Sequence, residues 1–295
     1  MTKRLNGAGV LGAFLLGTAC SSLAVAQESD ATAVTFRYPL AVAAAADGSL
    51  YVADRLLPGV WKVSNGEPSV FSKGSKQFRT PLNAIRGVAV AADGSVYVGD
   101  SATQEVYRLA DDGTPTPLTG GSIGIPVDIA IDSTGALYVS DLETQRIWRV
   151  PAEGGTPEEL VQLAAPRGLF VDGTDQLWAI AASGEAPLVK VAADGSVEAV
   201  VSTRAFEFPH DVVVDDEGTA FVSDNYASCV WKVSPDGEVT KLASGEPLQS
   251  PVGLGRTSAG IVVADPRAKA VFAIDAAGML TVLASADTPE EAEAP

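Results

Sequence analysis

From Tyr38 to Ser285 apolar and polar positions alternate with a period of two, in short runs rich in Val, Ile, Leu, Tyr, Trp and Phe. Asp-Gly or a similar turn pair interrupts these runs every 8 to 12 residues. Such alternation predicts β-strands joined by tight turns and excludes the 3.6-residue period of an amphipathic helix. In "AIRGVAVAADGSVYVGDSATQEVYRLADDGTPTPLT" it predicts four strands, at Gly87–Ala91, Ser95–Gly99, Glu105–Leu109 and near Thr116–Thr119.

The four-strand unit recurs. Copies begin at "YPLAVAAAADGSLYVAD", "AIRGVAVAADGSVYVGD", "IPVDIAIDSTGALYVSD", "APRGLFVDGTDQLWAIA", "FPHDVVVDDEGTAFVSD" and "SPVGLGRTSAGIVVAD". Their anchors, Pro39, Ile85, Pro126, Pro166, Pro209 and Pro251, are 46, 41, 40, 43 and 42 residues apart. Four strands at a repeat of roughly 40–45 residues describe a propeller blade. The expected fold is all-β, a six-bladed β-propeller of four-stranded antiparallel blades over residues 38–285, whose ring closure removes exposed sheet edges. Neither "GH" nor "WD" occurs, which separates the chain from WD40 propellers. A weak strand at Ala33–Phe36, "AVTF", in the leader 27–37 competes with "LTVLA" near the other end for the role of locking the ring.

Residues that recur at one place in most copies belong to the blade. Asp54, Asp100, Asp141, Asp224 and Asp265 all end the second strand, where short carboxylates accept backbone N–H groups of the following turn. Tyr51, Tyr97, Tyr138, Trp178 and Phe221 share one packing slot, and Trp61, Tyr107, Trp148, Trp231 and Phe272 another. No tryptophan is left over for a sugar or base platform, whereas Tyr38 and Tyr226 lie outside both slots. Lys62, Arg108, Arg149, Lys190 and Lys232 follow the second slot and turn toward solvent or a neighbouring blade.

One position escapes the template. The residue after each anchor is Leu40, Arg86, Val127, Arg167, His210 or Val252, and the geometry of propellers places it at the mouth of the central channel. His210 is the sole histidine. Loops leading to the same face add Arg37, Lys73, Lys76, Arg79 and Arg204, and the longest spacing falls here, in "SKGSKQFRTPLNAIRG". Arginine forks suit carboxylate or phosphate, so the expected ligand is a small anionic molecule or an acidic peptide segment. Candidate ligand-binding residues are Arg86, Arg167, His210, Asp128, Asp211, Arg79, Arg204 and Tyr226. The competing reading pairs the arginines with Asp128 and Asp211, which fill a slot held by Gly or Ala in the other four copies.

Composition narrows the partners. Lys3 and Arg4, an apolar stretch from Val10 to Ala19 and "AVA" at Ala24–Ala26 read as a signal peptide over residues 1–26, which predicts an exported, periplasmic or secreted protein. "LLGTAC" offers an alternative, a lipid anchor at Cys20. The apolar run is too short to span a bilayer, for which about 20 residues are needed. Without Lys3 and Arg4, 18 basic residues face 37 acidic ones, a formal charge of −19 that repels nucleic acid. Cleavage after Ala26 leaves Cys229 without a disulfide partner, reading as a small buried residue. Residues 286–295, "ADTPEEAEAP", read as a disordered acidic end. A monomer is expected.

At "YVADRLLPGVWKV", "YVSDLETQRIWRV" and "FVSDNYASCVWKV" the sequence resembles the NHL-repeat propellers and, more loosely, the senescence marker protein and gluconolactonase family. The second resemblance implies a divalent metal held by carboxylate and amide side chains at the mouth. The matching positions here hold none, so no metal site carries over, although Asp128 and Asp211 offer oxygens to calcium or magnesium. "PHD" at Pro209–Asp211 is similar to the "PHG" of streptogramin lyases, which implies an alternative role for His210 as the general acid or base of a hydrolase or lyase. A third alternative is a structural module whose outer blade faces bind other proteins.

Overall fold

The computed structural model describes residues 36–182 and 185–286. The signal peptide, Cys20, most of the leader and the acidic end from residue 287 onward lie outside the described residues. Among the described residues twenty-four strands form six separate sheets, each of four strands consecutive in sequence and antiparallel. Among the described residues no helix is long and apolar enough to cross a membrane.

The first strands of the blades are Pro39–Ala44, Ile85–Val90, Pro126–Ile131, Pro166–Val171, Pro209–Val214 and Gly253–Thr257. They touch one another in turn around the ring, the last packing against the first, and enclose the channel. Apolar side chains of adjacent blades merge into six buried clusters, one at each junction. Burial of this kind contributes about 25 cal/mol per Å² removed from water. Phe36 is fully buried and meets the Trp61 ring edge-on at 5.5 Å, in the cluster that joins blade six to blade one. The outer strand of blade six is Leu280–Ser285, so "LTVLA" completes that sheet.

In blade two the strands are Ile85–Val90, Val96–Asp100, Glu105–Leu109 and Pro115–Pro117. The outer strand stops short of the expected Thr119, where the buried Glu105 carboxylate accepts the N–H groups of Thr119 and Gly121 (2.8 Å) and shares that of Leu118 (3.1 Å) with the Val106 carbonyl (2.9 Å). The strand-ending aspartates do more than cap a turn. Asp54 accepts from Leu56 (2.9 Å) and Leu57 (3.1 Å) beyond it, but also from Arg37 (2.6 Å) and Tyr38 (3.0 Å) in the incoming loop. Asp100, Asp141, Asp224 and Asp265 make the same double clamp. In three blades a tryptophan of the next strand, Trp61, Trp148 or Trp231, donates its indole N–H to that carboxylate. In every blade but the fourth, which has Ala181 at that position, both loops that frame the mouth are therefore fixed by one buried side chain.

Candidate functional site at the channel mouth

The anchor residue pairs with the strand-ending aspartate, and the register then slips. In blades one, two and five the partners skip Leu40, Arg86 and His210, and blades three and four show the same irregularity around Val127 and Arg167. A bulge leaves its extra residue outside the ladder and re-aims it. Here it turns Leu40, Arg86, Val127, Arg167 and His210 into the channel, and with Val252, which precedes the first strand of blade six, they line one cavity of about 160 Å³. Tyr38, Arg55 and Asn225 complete the wall.

Sequence reasoning missed Arg55 and Asn225. Each directly follows a strand-ending aspartate, a slot that reads Arg55, Ser101, Leu142, Ala182, Asn225 and Pro266 around the ring. That variability was a usable signal. In blade two the same slot positions Arg86, whose Nε donates to Ser101 Oγ at 3.2 Å while Ser101 Oγ donates to the Ala84 carbonyl at 3.0 Å.

The exposed Arg55 and the half-buried Arg86 and Arg167 thus face one small cavity. Among the described residues none of Arg55, Arg86 and Arg167 has a carboxylate partner, the ion pairs being Lys62–Asp47, Arg146–Glu159 and Arg256–Asp216. Burial and the charge of Arg55 lower the pKa of Arg86; burial and the charge of Arg86 lower that of Arg167. Arginine nevertheless stays protonated. Arg167 lies 4.4 Å over the ring of Phe208, which stacks on Tyr226 at 4.6 Å, and its buried Nε has no hydrogen-bond partner.

His210 Nε2 is 3.3 Å from Arg167 Nη1. A guanidinium can only donate, so Nε2 accepts and the ring proton sits on Nδ1. Burial, then the charges of Arg167 and Arg86, push the imidazole down to about 3. A base this weak, with its lone pair engaged by Arg167, is poorly matched to proton transfer at neutral pH. The geometry favours a neutral hydrogen-bonding role over the acid–base role expected for His210.

The remaining expected site residues lie elsewhere. Arg79 sits at an exposed loop tip over the Phe78 ring, 5.3 Å from its centroid. The loop is tied to itself by Asn83, whose amide donates to the carbonyls of Ser75 (2.7 Å) and Gln77 (2.9 Å). Arg37, Lys73, Lys76 and Arg204 are exposed and do not line the cavity. Tyr226 stands on the rim rather than in the wall. Asp128 and Asp211 pair with neither Arg86 nor Arg167. Being next in the strand, they point past the mouth to the channel waist, where they line a second cavity of about 210 Å³.

At the waist both carboxylates serve the backbone. Asp128 Oδ2 accepts from Leu169 N–H in the next blade at 2.8 Å, and Asp211 Oδ2 from Leu254 N–H at 2.7 Å. Asp211 Oδ1 takes its own neighbour, Val212 N–H, at 2.7 Å. Burial raises Asp128 to about 7, and burial together with the Asp128 charge raises Asp211 well above the carboxylate range. Asp211 packs directly on Gly168, where a Cβ would fall 2.3 Å from Asp211 Oδ1 and 2.4 Å from its Cα. Among the described residues no group of three His, Cys, Asp or Glu side chains is arranged to hold a metal ion. Cys229 is buried, and burial and the Asp224 charge push its thiol up to about 12.

These features define a six-bladed β-propeller with an uncompensated cationic mouth. The fifth blade, residues 206–233, matches the family model for the NHL repeat. A stretch of 36 residues, 12% of the chain, is 44% identical to peptidyl-glycine alpha-amidating monooxygenase B of Xenopus laevis, of whose length it covers 4%. Among solved structures the chain is similar to one in a nidogen/laminin complex, at TM-score 0.66 and 19% identity over 76% of this chain and 89% of that one. It is also similar to virginiamycin B lyase from Staphylococcus aureus, at TM-score 0.64 and 13% identity over 83% and 84%. A gluconolactonase from Xanthomonas campestris gives TM-score 0.66 and 16% identity over 79% and 84%. Identities this low establish a shared fold and leave the chemistry to the residues of this chain.

Proposed function

We propose that this chain is an exported propeller that binds a small anion at its channel mouth. The observation that carries the reading is the convergence of Arg55, Arg86 and Arg167 on one cavity of about 160 Å³ without a carboxylate partner. Gathering like charges costs free energy, and a bound carboxylate or phosphate offsets that cost through charge-assisted, bidentate hydrogen bonds. Neutral His210 adds a donor at Nδ1, and Asn225 adds both a donor and an acceptor. An acidic side chain of a peptide meets the same requirements. The virginiamycin B lyase and gluconolactonase likenesses keep a hydrolase or lyase as the second reading, with the arginines stabilising developing negative charge.

Calorimetry with sugar acids, phosphates and acidic peptides tests the first reading. A bound anion should lose roughly 10- to 100-fold in affinity in Arg86→Ala or Arg167→Ala, the scale of one lost charged hydrogen-bonding partner. Unchanged affinity in both variants overturns it.

A further inference from the structure

The mouth is uneven around its circumference. Arg86, Arg167 and His210 come from blades two, four and five, whereas blade six contributes Val252 and blade one sets Leu40 beside Arg55. Val127 adds a third aliphatic group between the arginines. An anion surrounded by hydroxyls would leave part of its polar surface against a wall that cannot hydrogen-bond, which is costly.

Size adds a second constraint. A cavity of about 160 Å³ is close to the roughly 150 Å³ that accepts a benzene ring, so only a head group and a few more atoms fit inside. Anything larger must leave over the rim, where exposed apolar side chains stand beside the exposed Arg55. Leu56, 44% exposed, follows Arg55; Tyr226, 70% exposed, follows Asn225; Tyr38, 37% exposed, precedes the first anchor. Tyr226 is a rigid shelf, because it stacks on Phe208 and Phe208 carries the Arg167 guanidinium on its ring. Exposed aromatic and aliphatic groups clustered beside a pocket mark a binding surface.

We infer that the ligand is an amphipathic organic acid: one carboxylate held by the arginines, with an aryl or alkyl body that runs along Leu40 and Val252 and out across Tyr38, Leu56 and Tyr226. This rests on the anion-binding reading and goes further by excluding sugar acids and inorganic phosphate as preferred ligands. The carboxylate supplies charge, and the body supplies apolar contact that a hydrated anion lacks.

The test uses four probes on the full chain by calorimetry: 4-phenylbutanoate, 4-phenylbutan-1-ol, gluconate and inorganic phosphate. The acid should bind at least about tenfold tighter than each of the other three, a factor within the reach of burying one ring or pairing one charge. Leu40→Asn and the surface change Tyr226→Ser should each weaken 4-phenylbutanoate about fivefold relative to gluconate and phosphate; unfolding midpoints confirm that both variants fold. If gluconate or phosphate binds as tightly as the aryl acid, or neither variant matters, the amphipathic inference fails while the anion site stands. If the alcohol binds as well as the acid and Arg167→Gln changes nothing, the anion reading fails instead. No binding of any probe at millimolar concentration overturns both.

Discussion

The mouth and the waist of the channel are built from consecutive residues of the same six strands, yet their polar groups meet opposite fates. At the waist, Asp128 and Asp211 spend their oxygens on backbone N–H groups of the next blade and, for Asp211, of its own neighbour Val212. At the mouth, Arg55, Arg86 and Arg167 crowd together with no carboxylate to answer them. Position in the repeat is equally regular in both rings. What separates a structural ring from a binding ring is whether the scaffold consumes the hydrogen-bonding capacity it buries, because an unconsumed group must find its partner outside the chain.

The contrast can be broken most severely at the waist. Gly168→Ala places a methyl group within 2.4 Å of the Asp211 backbone, and backbone cannot yield as a side chain can. A loss of about 3 kcal/mol is expected in urea unfolding, at the upper end of overpacking effects. At the mouth the same measurement should give the reverse. Arg86→Ala and Arg167→Ala remove a like-charge neighbour and should leave stability unchanged or raised, even as anion affinity falls.

Acidity sharpens the comparison at smaller amplitude. The waist carboxyls titrate above their ordinary 3.8, because burial and mutual repulsion disfavour the charged forms. Their stabilising protonated state is complete below about pH 4 and is lost as pH rises toward 7. Melting temperature should therefore drop by several degrees between about pH 5 and pH 8, and Asp211→Asn should flatten that slope. His210 has the opposite sign. Its folded pKa lies below 6.5, so the neutral ring is favoured at neutral pH and its contribution is lost as pH falls from 6.5 toward 3. As the sole histidine it gives a single NMR reporter. Its resonances should remain those of the neutral Nδ1–H tautomer down to about pH 4, and saturating anion should shift the titration upward by cancelling the arginine field. A titration near 6.5 without ligand would mean that the guanidiniums do not face it.

Repetition made the blades legible, since six imperfect copies reveal the turns, strands and packing slots that no single copy proves. It also made the mouth ring legible, because one bulge recurs after five of the six anchors and so one position in the repeat locates six side chains. The waist was harder. Asp128 and Asp211 follow the bulge, and whether they meet arginine or backbone depends on a one-residue register that alternation alone does not fix. Loop charges were harder still. Arg79 and Arg204 sit in the right loops, but direction within a loop comes from local ties such as those of Asn83, which carry no periodic signature. Arg55 and Asn225 were harder again, because each follows an aspartate that recurs in five copies, and only the variability of the next slot sets it apart from the blade.

The closure of the ring has a topological consequence. No sheet borrows a strand from the opposite end of the described segment; Phe36 and Ala284 simply share one of six equivalent apolar junctions. The blade order is therefore cyclic in all but covalent continuity. A permuted gene that links the two ends and opens the chain at Gly120–Gly121, between blades two and three, should yield the same propeller with the same mouth.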